Sequence, residues 1–436
     1  MRSLKLILIL LLVLAVDTCS QAQQMPKDVY KRSAKIELQR KNPDYERVLN
    51  LLEEAKTYYP DDGEIWFLLG EVYKTKNQPQ KMFEAFDQAL KLSLKDQYVK
   101  EIKEMIKETW VVTFNRAVDY ANRVDKVERY AGQSFSDWSN YPVYIDSLQL
   151  LSSEFEDTAY DWKNYSSAAK LAIPLEKLKQ DLYKKSLELY ELAILFDSSR
   201  YEPYVNGAFV CSKLGEPEKA LNYFDKAYKL KPDDLNVLNS YLAVLLNNKK
   251  YEEALVISEK ILEKNPQDLN ILFNRAVILE SLEKKQEALE LYNQIIELDT
   301  NAKDVHFNRA LLYLNETNAI AKQLIALRDS IENNPKDQDL IGRSKQLIEE
   351  QKTLFGKAES DLKKVLDLDP EDTETMRFLG YCYLNEEKIE PAIEVLETLT
   401  QKEPDNTEAW GYLSIAYTKK GLAQKAKEAE QKAQGP

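Results

Sequence analysis

Residues 204–234 read YVNGAFVCSKLGEPEKALNYFDKAYKLKPDD, residues 238–268 read LNSYLAVLLNNKKYEEALVISEKILEKNPQD, and residues 272–302 read LFNRAVILESLEKKQEALELYNQIIELDTNA. Set beneath one another they agree every 34 residues: Tyr204, Leu238, Leu272 and His306; Ala220, Ala254 and Ala288; Tyr223, Ile257 and Leu291; Pro232 and Pro266. A fixed period of this length means that each unit is one supersecondary block which buries its apolar faces only by stacking on its neighbours. Tyr204, Ala208 and Cys211 fall on one helical face, and Ala220, Phe224 and Ala227 on another, so each unit predicts two helices. Leu214-Gly215-Glu216-Pro217 supplies the turn between them, and Pro232-Asp233-Asp234 ends the second helix and caps the next. The small residues Ala208, Ala220 and Ala227 let antiparallel helices approach closely, while Tyr204 and Phe224 fill the wider gaps.

The same signature extends in both directions. It reads Trp66, Leu69, Gly70, Tyr73, Phe86, Ala89 on the N-terminal side. On the C-terminal side it returns as Leu379, Gly380, Tyr383, Ala392, Pro404 and as Trp410, Leu413, Tyr417, Ala426, Ala433. A degenerate opening unit ends in Ala55 and Pro60. This pattern resembles the tetratricopeptide repeat family over most of the chain. The resemblance implies an all-α, right-handed superhelical solenoid of about nine helix pairs, whose first helices line a concave groove.

Two units are interrupted between their helices. The tetrapeptide Phe-Asn-Arg-Ala stands at residues 114–117, 273–276 and 307–310, each time in a first helix. From Ala117 to the second-helix residues Tyr190 and Ala193 there are about 57 extra residues, and from Ala310 to Leu362 and Val365 about 36. The expected organisation is a leader over 1–22 and N-terminal repeats over 23–96. A repeat over 97–200 follows, opened by an aromatic-rich insertion at about 123–178. Three regular repeats occupy 201–302, a repeat over 303–372 carries a second insertion at about 314–356, and two repeats fill 373–436. Ile320, Leu324, Leu327 and Ile331, then Asn334-Pro335, then Ile341, Ile348 and Phe355 predict the second insertion as a helical hairpin with a narrow apolar seam.

Arg2 and Lys5 precede an apolar run from Leu6 to Val16, followed by Ser20-Gln21-Ala22-Gln23, the pattern of an export signal. The run is about 11 residues, too short for a membrane span of about 20. Cleavage after Ala22 gives a periplasmic or secreted protein; lipidation at Cys19 is the alternative, although Asp17 and Thr18 stand where a lipobox has small residues. The other cysteines, Cys211 and Cys382, make no disulfide framework. Sixty Lys and Arg against 73 Asp and Glu give a net charge of −13, which argues against a nucleic-acid partner.

No catalytic constellation emerges, and the expectation is a non-enzyme without metal or cofactor. His306 is the only histidine and occupies a packing position, so no histidine metal cluster or Ser-His-Asp arrangement is supported. The candidate groove residues are Asn115, Asn206, Asn274 and Asn308, which recur two residues before the small position of the first helix, with Phe209, Phe273, Phe307 and Tyr381 beside them. A carboxamide both donates and accepts, so such a series suits a peptide backbone. It resembles the asparagine ladder of some tetratricopeptide arrays, which implies a protein or peptide partner and an adaptor or scaffold role. The alternatives are an envelope glycan- or small-ligand-binding protein using Trp138 and Trp162 of the first insertion as a platform, and an outer-membrane assembly factor.

Overall fold

The computed structural model describes residues 25–128 and 175–435. Among them the regular structure is entirely helical: 18 α-helices and no strand. None of these helices is long and apolar enough to cross a membrane. The leader, with Cys19 and Ala22, lies outside the described residues, as does most of the first insertion. The chain divides into two compact units, one ending at Ser240 and the other beginning at Tyr241.

The first unit contains α1 (Lys27–Leu38), α2 (Tyr45–Tyr58), α3 (Gly63–Thr75), α4 (Pro79–Lys91), α5 (Asp96–Glu128), α6 (Leu175–Phe196), α7 (Glu202–Lys213) and α8 (Pro217–Leu230). α9 (Leu235–Asn247) spans the division. The second unit continues with α10 (Tyr251–Lys264), α11 (Leu269–Ser281), α12 (Lys285–Leu298), α13 (Lys303–Asn333), α14 (Gln338–Leu368), α15 (Thr373–Asn385), α16 (Ile389–Lys402), α17 (Thr407–Lys420) and α18 (Ala423–Ala433).

The repeat is written in local chemistry. Pro60, Pro232, Pro266, Pro370 and Pro404 each precede by two residues a cap whose side chain accepts a backbone N–H of the next helix. Asp62 takes Glu64 N at 3.1 Å, Asp268 takes Ile271 N at 3.2 Å, Asp372 takes Thr375 N at 2.9 Å, and Asn406 takes Ala409 N at 2.9 Å. The turn inside six of the pairs is left-handed at one residue: Asn77, Gly215, Lys249, Glu283, Glu387 and Gly421 have φ between 53 and 80°. The next N–H reaches back to the first helix, as from Glu216 N to the Cys211 carbonyl and from Leu422 N to the Tyr417 carbonyl, both 2.9 Å.

Tight packing between paired helices explains the signature glycine. A Cβ on Gly70 would stand 2.1 Å from the fully buried Phe86 ring, and one on Gly380 would stand 2.6 Å from Leu396. In two of the three repeated tetrapeptides the arginine ties a first helix to the second helix before it. Arg275 donates to the Leu255 carbonyl at 2.9 Å, and Arg309 donates to Asn293 Oδ1 at 2.5 Å.

α13 and α14 each run 31 residues and form one long antiparallel pair. The region expected as an insertion is the distal part of these two helices, closed by the turn at Asn334, with Gln351 Nε2 donating to the Thr317 carbonyl at 3.0 Å. Leu314, Ile320, Leu354 and Phe355 are buried at its base. The seam departs from the sequence reading at one point: Ile348 is 52% exposed, and Leu347 packs inward instead. An α-helix turns 3.6 residues per turn, so a strict sevenfold series drifts off the contact line.

His306 is buried at its repeat position, yet its environment is polar rather than the packed apolar contact that the sequence suggests. Nδ1 lies 2.7 Å from Asp361 Oδ1 and Nε2 lies 3.2 Å from the Thr300 carbonyl. Arg309 completes the cluster, donating to both oxygens of Asp361 at 2.7 and 2.8 Å.

Candidate functional site

In the second unit, the first helices of three successive repeats share a cleft of about 400 Å3. Its walls are Leu311, Leu314, Asn315 and Asn318 of α13, Arg377, Phe378 and Tyr381 of α15, and Glu408 and Tyr412 of α17. Repeat register places them. Phe378 and Tyr412 stand 34 residues apart at one repeat position, and the opposite faces of their helices are held in the core by Met376, Leu379 and Leu413.

The cleft is built on a chain of aromatic contacts. Tyr381 meets Phe355 edge-on at 5.9 Å and lies tilted against Tyr412 at 5.8 Å between ring centroids, while Phe307 meets Phe378 edge-on at 5.9 Å. Polar tips line the opening. Tyr381 Oη donates to Asn318 Oδ1 at 3.3 Å, and Tyr412 Oη donates to Glu408 Oε1 at 2.8 Å. Arg377 Nη1 donates to Glu408 Oε2 at 3.0 Å, and its guanidinium lies 4.2 Å from the centroid of the Phe378 ring. Burial, and then the bond to Glu408, push the Tyr412 phenol up to about 12. Burial likewise raises Tyr381, so both phenols stay protonated donors at neutral pH. Aromatic faces, carboxamides and one ion pair suit non-covalent recognition of a chain segment.

Of the residues expected from the sequence, Tyr381 lies in the cleft and Phe307 packs behind it against Phe378. Asn308 stands on the same α13 face, but its Nδ2 donates to the Asp304 carbonyl of its own helix at 2.8 Å. Phe273 and Asn274 are half-buried on α11, the Phe273 ring lying 6.2 Å from that of Tyr292. The remaining candidates are in the first unit. Asn206 hydrogen-bonds the Tyr190 phenol. Phe209 is 52% exposed, with the Lys213 ammonium 5.4 Å from its ring. Asn115 is exposed beside Phe114, which stacks on Trp110 at 5.0 Å. Trp138 and Trp162 lie outside the described residues.

Sequence reasoning passed over Asn315, Asn318, Arg377, Phe378, Glu408 and Tyr412. A signal for two of them existed: once the second insertion is subtracted, Phe378 and Tyr412 fall in register with Asn308, so aromatics replace the carboxamide in the last repeats. Asn315 and Asn318 fall within the span that reads as an insertion, which hides their place on the groove face of a continuous helix.

The two remaining cysteines are enclosed. Burial pushes the Cys211 thiol up to about 11 and raises Cys382 further, so neither is poised as a nucleophile. Among the described residues, no group of three or more His, Cys, Asp or Glu is placed to hold a metal ion.

A family model for the tetratricopeptide repeat matches residues 63–96, 201–234 and 269–301, and another of the same description matches residues 354–414. No curated protein matches the chain. Similar solved structures include YrrB, described as a TPR protein with an unusual peptide-binding site, at 22% identity over 51% of this chain and 96% of that one, with a TM-score of 0.37. MamA from Desulfovibrio magneticus is similar at 18% identity over 50% of this chain and 97% of its own, with a TM-score of 0.33. Pseudomonas aeruginosa pilF is similar at 14% identity over 61% and 95%, with a TM-score of 0.35. The pairs α3/α4, α7/α8, α11/α12 and α15/α16, with the Gly70 and Gly380 contacts, fall within the residues that the family models match, and the chain carries tetratricopeptide repeats.

Proposed function

We propose that this protein is an exported, non-catalytic adaptor that holds an extended segment of a partner protein in the cleft of its second unit. The observation that carries the reading is the cleft itself: three first helices present Tyr381, Tyr412 and Phe378 together with the carboxamides Asn315 and Asn318. Partly exposed aromatics supply contact area at small entropic cost, and the carboxamides match a peptide backbone irrespective of its sequence. Export rests on the leader at residues 1–22, with cleavage after Ala22 and lipidation at Cys19 as the two routes, separable by sequencing the N-terminus of the mature protein.

Selection of phage-displayed random peptides on the full chain tests the reading. The enriched peptides should bind Tyr381→Ala/Tyr412→Ala and Asn315→Ala/Asn318→Ala at least about tenfold more weakly than the parent protein. Asn308→Ala should be nearly neutral, because that carboxamide is engaged with its own helix. Peptides that bind both double variants as well as the parent, or a selection that enriches none, would sink the idea.

A further inference from the structure

The groove reading leaves open what kind of segment the cleft takes, and the charges around it speak to that. Each first helix bordering the cleft opens with a carboxylate: Asp304 in α13, Glu374 in α15 and Glu408 in α17. Acids at helix N-termini also stabilise helices, but α11 of the same unit has none in its first turn. Asp304 shares a helical face with Asn308, Leu311 and Asn315, about two turns before the first α13 residue that lines the cleft.

The one cation among the residues lining the cleft, Arg377, is already engaged. Arg377 sits between Glu374, at 3.8 Å, and Glu408, at 3.0 Å. Behind this local balance, residues 241–436 carry 26 Lys and Arg against 36 Asp and Glu, so the unit supplies a negative field that the cleft concentrates.

The cleft also shows what its rings accept. Arg377 lays its guanidinium over Phe378, whereas no cation among the described residues lies over Tyr381 or Tyr412. A ring face with a carboxylate at its edge is a cation site.

We infer that the occupant is a basic segment of a partner protein. One of its Lys or Arg side chains lies over Tyr381 and Tyr412 with its charge toward Glu374 and Glu408, and its backbone meets Asn315 and Asn318. This rests on the groove reading above. The test separates the two by using three pools of nine-residue peptides, identical except for Lys, Gln or Glu at three fixed positions, titrated onto the full chain.

The Lys pool should bind at least about tenfold more tightly than the Glu pool in low salt, with the preference shrinking as salt screens exposed charges. Asp304→Asn/Glu374→Gln/Glu408→Gln should abolish that preference, with circular dichroism confirming the fold. Tyr381→Ala/Tyr412→Ala should weaken the Lys pool most. Equal binding of the three pools, or preference for Glu, overturns the basic partner while leaving peptide binding in place. Binding by no pool, or binding indifferent to the tyrosine variants, overturns both readings.

Discussion

His306 Nε2 lies 3.2 Å from the carbonyl oxygen of Thr300, six residues back. Trp66 Nε1 makes the same reach to the Pro60 carbonyl at 2.7 Å, and Trp410 Nε1 to the Pro404 carbonyl at 2.8 Å. Where the position holds Trp, Tyr or His, as at Tyr204, whose Oη donates to the Ser198 carbonyl, it ties a first helix to the loop that introduces it, a task that leucine at 238 and 272 does not perform. Replacing His306 with the leucine found at 238 and 272 leaves the Thr300 carbonyl without this partner and removes one contact from the buried Asp361. His306→Leu should lower stability by about 1–3 kcal/mol in chemical denaturation. A neutral result would mean that the ring acts only as filler.

Two glycines should respond in opposite directions to alanine. Gly70 has no room for a Cβ beside Phe86, so Gly70→Ala should cost about 1–3 kcal/mol. Gly342 is exposed near the start of α14, past its first turn, with nothing within 4 Å of its Cβ direction, so Gly342→Ala should stabilise by about 0.5–1 kcal/mol. Thermal unfolding of both variants decides the matter, and equal effects would contradict the packing described for α3 and α4.

Glu283 adopts φ 61° at a turn position where matching repeats have Gly215 and Gly421. Left-handed backbone costs a residue with a side chain about 1–2 kcal/mol, and glycine gives back about 0.5–1 through its freer unfolded chain. Glu283→Gly should therefore raise stability by up to about 1 kcal/mol, read as a higher denaturation midpoint with an unchanged slope. A lower midpoint would show that the αL turn is not strained.

Glu359 and Glu386 share a hydrogen bond between carboxyl groups and shift in opposite directions. Burial alone would raise Glu359, but bonds from Lys363 and Lys388 win and hold it down to about 2. Burial first, and then the neighbouring Glu359, raise Glu386. Glu359 contributes stability that is complete above its ordinary 4.5 and lost as pH falls toward about 2. Glu386 works the other way, since ionising it above its raised value disfavours the fold. Glu386→Gln should raise the unfolding midpoint at pH 7, with the gain disappearing in acid, whereas Glu359→Gln should lower it at pH 7 and flatten the loss toward pH 2. The reverse order at pH 7 would overturn this assignment of the pair.

Most of the architecture was legible in the chain. The 34-residue period, the proline and aspartate that stop one helix and cap the next, and the alanines and glycines at helix contacts are local or strictly repeating demands. Each leaves a mark at a fixed place, so Tyr204, Ala220 and Pro232 are enough to declare the helix pair they shape. The candidate groove was only partly legible. Tyr381 was found from its place in the repeat, but Asn315 and Asn318 were hidden because an uninterrupted α13 carries the groove face into what had looked like an insertion.

What the sequence determined by itself is thus the kind of protein: an all-helical tetratricopeptide array, fixed by periodic packing and capping whose physics acts within one repeat and its neighbour. What only the tertiary structure decided is which side chains meet. Asp361 reaches His306 and Arg309 across more than 50 residues, and Glu408 reaches Arg377 between two repeats. Such pairings depend on the stacking of whole helices, and no spacing within the chain encodes them, because a charged or carboxamide side chain on a helix face carries the same local pattern whether it meets solvent, its own backbone or a neighbouring repeat.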